Sequence, residues 1–115
     1  MKKYYLSFEN TPENFSLARL TVSFIANKVG FNIEEVEDIK VSISEALNLQ
    51  LGISKEVKIV FYAKEKEIEI EVIALDPHLD KEGESNKFAK IILETLMDEV
   101  KIEEGIIKIS KTLKD

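Results

Sequence analysis

The chain of 115 residues has no cysteine, no tryptophan, two prolines, four glycines and a single histidine. Without cysteine there is no disulfide framework and no thiolate metal site. His78 has only Asp76 and Asp80 beside it in sequence, too few donors for a metal, so a surface histidine is expected. Four glycines leave little material for a phosphate-cradling loop, and no such motif occurs. The chain has no apolar run of the roughly 18 residues a membrane span requires. The basic start Met1-Lys2-Lys3 is not followed by the apolar middle of a signal peptide. A soluble, cytoplasmic protein is the expectation.

The net charge is −6, from 22 acidic against 16 basic residues. That argues against general affinity for nucleic acid or an anionic membrane. It suits a basic protein partner, and equally plain solubility. With 44% hydrophobic and 33% charged residues the composition is globular. Residues 1–115 are expected to form one domain with a core of its own.

What is present is organised around Val36 to Asn48. Val36, Ile39, Ile43, Ala46 and Leu47 form the stripe of an amphipathic helix. Asp38, Ser42 and Glu45 recur about one turn apart on a second face. Asn32 with Glu35 three residues on is a capping-box signature, so this helix should run from 33 to about 50, ended by Gly52.

Before it, Tyr4, Leu6 and Phe8 alternate with Tyr5 and Ser7, a strand over 3–8. Thr11 as cap and Pro12 at the first helical position predict a helix from Pro12 to about Val29. Its apolar residues cover more than half its circumference, which calls for a sheet below and a helix or partner protein beside it. Gly30 suits its C-terminus. After the central helix, Val57, Ile59 and Phe61, then Ile68, Ile70 and Val72 alternating with Glu67, Glu69 and Glu71, read as strands over 56–62 and 67–75. They form a hairpin with one core face and one acidic face. Residues 76–87 read as the one long loop. Ser85 or Asn86 would cap a helix over about 87–97, with Phe88, Ile91, Ile92, Thr95 and Leu96 on its buried stripe. Val100 and Ile102, then Ile107, Ile109 and Leu113, give two closing strands around Gly105. This order predicts a two-layer α/β sandwich: a mixed, mostly antiparallel sheet of about five strands with three helices on one face.

Read as chemistry, Glu45 could act as a general base toward a hydroxyl or water; the commoner role is an ordinary helix carboxylate. Asp76, just past a strong strand, could accept a hydrogen bond from a ligand amine, or simply open a turn before Pro77.

Val36-Glu37-Asp38-Ile39-Lys40 with Ser44-Glu45-Ala46, then Leu96-Met97-Asp98-Glu99-Val100, Gly105 and Lys111-Thr112-Leu113, resemble the anti-sigma factor serine kinases. These belong to the histidine-kinase-like (GHKL) ATPase superfamily. Pro12-Glu13-Asn14 to Gly30-Phe31 resembles the family's first helix. The resemblance implies the histidine-kinase-like ATPase fold, binding of ATP with Mg²⁺, phosphorylation of a serine on an antagonist protein, and capture of a sigma factor. A homodimer would fit the family, with the first strand and first helix the place to look.

In that family the helix carries a general-base Glu, matched by Glu45, and four residues on an Asn that holds Mg²⁺. Here that position is Leu49, and Asn48 stands one residue early, about 100° around the helix. The Asp that contacts adenine is matched by Asp76, but neither following glycine is present. The Gly-x-Gly before the third helix is Lys87-Phe88-Ala89. Lys87 and Lys90 would attract phosphate by charge alone. The connection between the two loops is also short for the family.

The reading is therefore an anti-sigma-factor-like regulatory protein that acts by protein contact on a sigma factor or its antagonist, with ATP binding lost or weakened. Two alternatives stand beside it. One is an active ATP-dependent serine kinase with Glu45 as base and Asn48 at the metal. The other is a dimerisation or sensor module sharing only the fold.

Overall fold

The structure is a computed structural model that describes residues 1–77 and 84–114, with side chains for 1–77 and 87–114. Its elements run β1 (Lys2–Glu9), α1 (Phe15–Val29), α2 (Ile33–Gln50), β2 (Glu56–Ala63), β3 (Glu67–Ala74), α3 (Glu84–Leu96), β4 (Glu99–Glu103) and β5 (Ile106–Thr112). The five strands form one sheet in the order β1-β2-β3-β5-β4. All four ladders are antiparallel, so the parallel component that a mixed sheet would need is absent from these strands.

Period-two alternation builds the sheet. One inner row runs Tyr4, Phe61, Ile70, Ile109, Val100, and the next runs Leu6, Ile59, Val72, Ile107, Ile102. On the three central strands these side chains are almost wholly buried, each worth about 1.5–3 kcal/mol in transfer from water. The opposite face carries Tyr5, Val60, Glu71, Lys108 and Lys101 in one cross-strand row. There the Tyr62 hydroxyl donates to Glu71 Oε1 at 2.7 Å and Lys108 pairs with Glu71 at 3.7 Å.

The helices cover the inner face. α2 lies between α1 and α3 and seals the core through Val36, Ile39, Ile43, Ala46 and Leu47, the stripe expected from sequence. Its capping box is complete: Glu35 N–H donates to Asn32 Oδ1 at 2.8 Å, and Asn32 N–H to Glu35 Oε1 at 3.0 Å. α1 ends at Gly30, whose φ of 112° is costly for a residue with a Cβ.

Four local expectations are corrected. Pro12–Asn14 is a separate 3₁₀ turn, and Thr11 makes no capping hydrogen bond; Asn14 Nδ2 instead reaches back to the Glu9 carbonyl at 2.8 Å. α2 has the expected bounds, Ile33–Gln50, but Gly52 does not end it: Leu51 N–H already tightens onto the Asn48 carbonyl. α3 begins at Glu84, so Ser85 and Asn86 lie inside its first turn rather than at its cap. Ala89 and Leu93 are buried, with Met97 just past its end, while Phe88 and Ile91 are 68% and 58% exposed. The helix is apolar around more of its circumference than the sheet can cover, and packing selected a face about one residue removed from the expected stripe. His78 and Asp80 lie outside the described residues.

Candidate functional site

The residues singled out from sequence lie on α2, on α3 and just past β3. Glu45 is half-buried and Asn48 exposed on the last two turns of α2. Leu49 is half-buried and packs against the hydrophobic core. Ser42, grouped with Glu45 from its spacing, is fully buried, and its Oγ donates to the Asp38 carbonyl at 2.8 Å. It is spent on its own helix and faces no ligand. Lys87 and Lys90 are exposed on the first half of α3. The side chains of Glu45, Asn48, Lys87 and Lys90 enter no hydrogen bond or ion pair with the described residues.

The end of α2 is pinned by three polar side chains that periodicity does not reveal. Asn10, 6% exposed, donates from Nδ2 to the Leu47 carbonyl at 3.2 Å. Gln50, 1% exposed, donates from Nε2 to the Val72 carbonyl of β3 at 3.1 Å. Ser54 is equally buried; its Oγ donates to the Glu56 carbonyl at 2.8 Å and accepts the Asp76 N–H at 3.1 Å. The turn after α2 thus holds the backbone of Asp76, so the α2 carboxylate and the exposed carboxylate past β3 are set by one hydrogen-bonded frame. The sequence signal was isolated polar residues at element ends, which turns supply for many other reasons.

Arg19, the chain's one arginine, was also missed. From α1 its guanidinium donates to Ser44 Oγ on α2 at 3.1 Å and to Ser16 Oγ at 3.0 Å. A half-buried cation is therefore held in place beside the residue preceding Glu45. No group of three or more His, Cys, Asp or Glu residues that could hold a metal occurs among the described residues.

Comparison with known proteins bears on this arrangement. The serine-protein kinase RsbW of Listeria innocua is 30% identical over 129 aligned positions, covering 90% of this chain and 82% of that protein. The RsbW of Oceanobacillus iheyensis is 32% identical over 114 positions, covering 79% of this chain and 72% of that one. The chain belongs to the anti-sigma factor serine kinase family.

The fold of this family member agrees with that assignment. A crystal structure of the RsbU and RsbW domains of Rv1364c from Mycobacterium tuberculosis superimposes with a TM-score of 0.72 at 15% identity, over 99% of this chain. The chain spans 32% of that longer protein. No family model matches the chain. Among the described residues no helix is long and apolar enough to cross a membrane.

Proposed function

We propose that this family member is a regulatory binding module, which captures a sigma factor or its antagonist protein by surface contact, with ATP binding lost or weakened. The observation that carries the reading is Leu49. It occupies the position of the family's Mg²⁺-holding Asn and packs, half-buried, against the core. A hard cation needs oxygen ligands, which leucine lacks.

The phosphate side fits no better. Lys87, Phe88 and Ala89 stand where the family has Gly-x-Gly, and α3 already begins at Glu84. Only the first four N–H groups of a helix lack an intrahelical partner. The N–H groups of Phe88 and Ala89 are therefore committed to the helix and closed to phosphate. Lys87 and Lys90 are exposed and supply charge without a cradle. The residues present do not fit Mg·ATP.

The relatives' name favours a second reading, an active kinase. In it Glu45 is the general base, Asp76 contacts adenine, and Asn48, exposed three residues after Glu45, substitutes as metal ligand. Thermal unfolding with and without millimolar Mg·ATP separates the two. Ligand at about a hundred times its Kd adds about 2.7 kcal/mol, roughly a ten-degree rise in a domain of this size. The binding-module reading expects no rise; a clear rise returns the protein to the kinases.

The same proposal includes a homodimer. β1 is an edge strand, and Leu17, Leu20 and Phe24 of α1 are 48%, 71% and 55% exposed. A second copy on this edge would cover both. Equilibrium sedimentation tests it, and a monomer at about 100 μM, far above a micromolar Kd, counts against it.

A further inference from the structure

α1 runs back along β1 and stops short of the strand's start. Its last residue is Val29, and Gly30 turns the chain away toward α2. The sheet continues below it: Lys2 pairs with Ala63, and the turn after Ala63 leads into β3. α1 leaves this corner open, and a groove of about 370 Å³ lies there, within the size range of ligand clefts. Tyr4, Val29 and Ala63, each half-buried, form its apolar floor.

Lysines ring that floor. Lys64 is held by Glu67 at 3.6 Å and Glu69 at 3.5 Å, so its charge is already matched and it supplies mainly its stem. Lys2 and Lys28 differ from it. Both are exposed, and neither enters an ion pair with the described residues. Lys28 Nζ sits over the Phe24 ring at 5.1 Å, a contact that leaves its positive charge intact. Glu65 is the one acid on the rim, against those two free cations. The chain as a whole carries a charge of −6, so this corner reverses its sign locally.

Free cations beside an apolar floor select a ligand with both characters. Inorganic phosphate would meet the lysines and leave Tyr4, Val29 and Ala63 unused. An anionic bilayer would have to approach a chain of its own sign. An extended peptide satisfies both halves, because side chains two residues apart leave the same side of it. One apolar residue can then face the floor while acids two positions away face the lysines.

We propose that this groove is a docking site for an acidic segment of a partner protein. An apolar side chain of that segment lies on Tyr4, Val29 and Ala63, and carboxylates two residues to either side meet Lys2 and Lys28. β3, eight residues long, puts roughly 25 Å between this corner and the Asp76 end. The site goes beyond the binding-module reading and does not require it, since an active kinase would hold a partner here equally.

The test is an NMR titration of the isotope-labelled full chain with the blocked peptide acetyl-Glu-Ser-Leu-Ser-Glu-amide. Saturable amide shifts are expected at Tyr4, Val29, Ala63 and Glu65, with a Kd of about 1 mM or below. Lys2→Glu and Lys28→Glu, both at exposed side chains, should leave the rest of the spectrum in place. Each should raise that Kd about threefold or more, and added salt should act in the same direction. The peptide with glutamine in place of glutamate should shift none of these amides. Shifts that do not saturate, that fall elsewhere on the protein, that the glutamine peptide reproduces or that survive both charge reversals overturn the site. So does binding to phosphatidylserine vesicles that both reversals abolish, with no response to the peptide; that result gives the groove to a membrane surface. The thermal shift with Mg·ATP reads the other end of the sandwich, so failure here and failure of the binding-module reading are distinct.

Discussion

On the proposed reading Leu49 stands where a metal-holding asparagine would be, and the outcome of replacing it by asparagine can be worked from the packing. Leu49 is half-buried against the core. Losing about half of a full leucine transfer costs about 1 kcal/mol. Setting a polar amide in the same partly apolar surroundings costs about 1–2 kcal/mol more. The sum, about 2–3 kcal/mol, lowers the melting midpoint of a domain this size by roughly 8–12 °C. Millimolar Mg·ATP should leave the midpoint of both proteins unmoved, because the α3 N–H groups that would hold phosphate stay inside the helix. Calorimetry of wild type and Leu49→Asn, each with and without Mg·ATP, reads all four quantities. A variant melting within about 2 °C of wild type would refute the packing argument. A rise of several degrees with Mg·ATP in Leu49→Asn alone would show that a single metal ligand was missing, and would refute the argument that α3 closes the phosphate site.

Three further outcomes follow from the geometry. Ser54→Ala removes the acceptor of the Asp76 N–H and a bond to the Glu56 carbonyl. It should cost about 1–3 kcal/mol and speed amide exchange at Asp76; unchanged exchange there would mean Ser54 does not hold that backbone. Gly105→Ala meets only Pro77 Cγ at 3.8 Å, an ordinary contact, yet φ is +78°, so conformational strain of about 1–2 kcal/mol is expected, read as a fall in denaturation midpoint. The Tyr62 phenol is pushed up to about 12, first by its hydrogen bond to Glu71 and then by burial and the Glu71 charge. Its contribution to stability is complete below pH 10, the ordinary tyrosine value, and is lost as pH rises through about 12. Ultraviolet titration should show Glu71→Gln bringing the phenol down; a titration that Glu71→Gln leaves in place would contradict that cause.

Much of this molecule follows from local pattern. Ile68, Ile70 and Val72 between Glu67, Glu69 and Glu71 dictate a strand with one buried face, because alternate side chains must leave opposite sides of a pleated backbone. The Asn32–Glu35 box and the Val36–Leu47 stripe dictate α2 and its buried side, since both rest on spacings within one helix. The family could be read from the residues around Glu45 and from Leu96 to Val100 for the same reason: those motifs are contiguous in sequence.

The tertiary structure decided what depends on distant partners. β5 lies between β3 and β4, a choice among pairings that the alternation of each strand leaves equal. α3 had two apolar faces, and only the shape of the surface beneath selected Ala89, Leu93 and Met97 over Phe88 and Ile91. Asn10, Gln50 and Ser54 look like ordinary turn and helix-end residues until the carbonyls of Leu47, Val72 and Glu56 arrive beside them. Periodicity states how much of an element is apolar. Which part of it is covered, and which polar group finds a partner, is set by contacts between segments far apart in the chain.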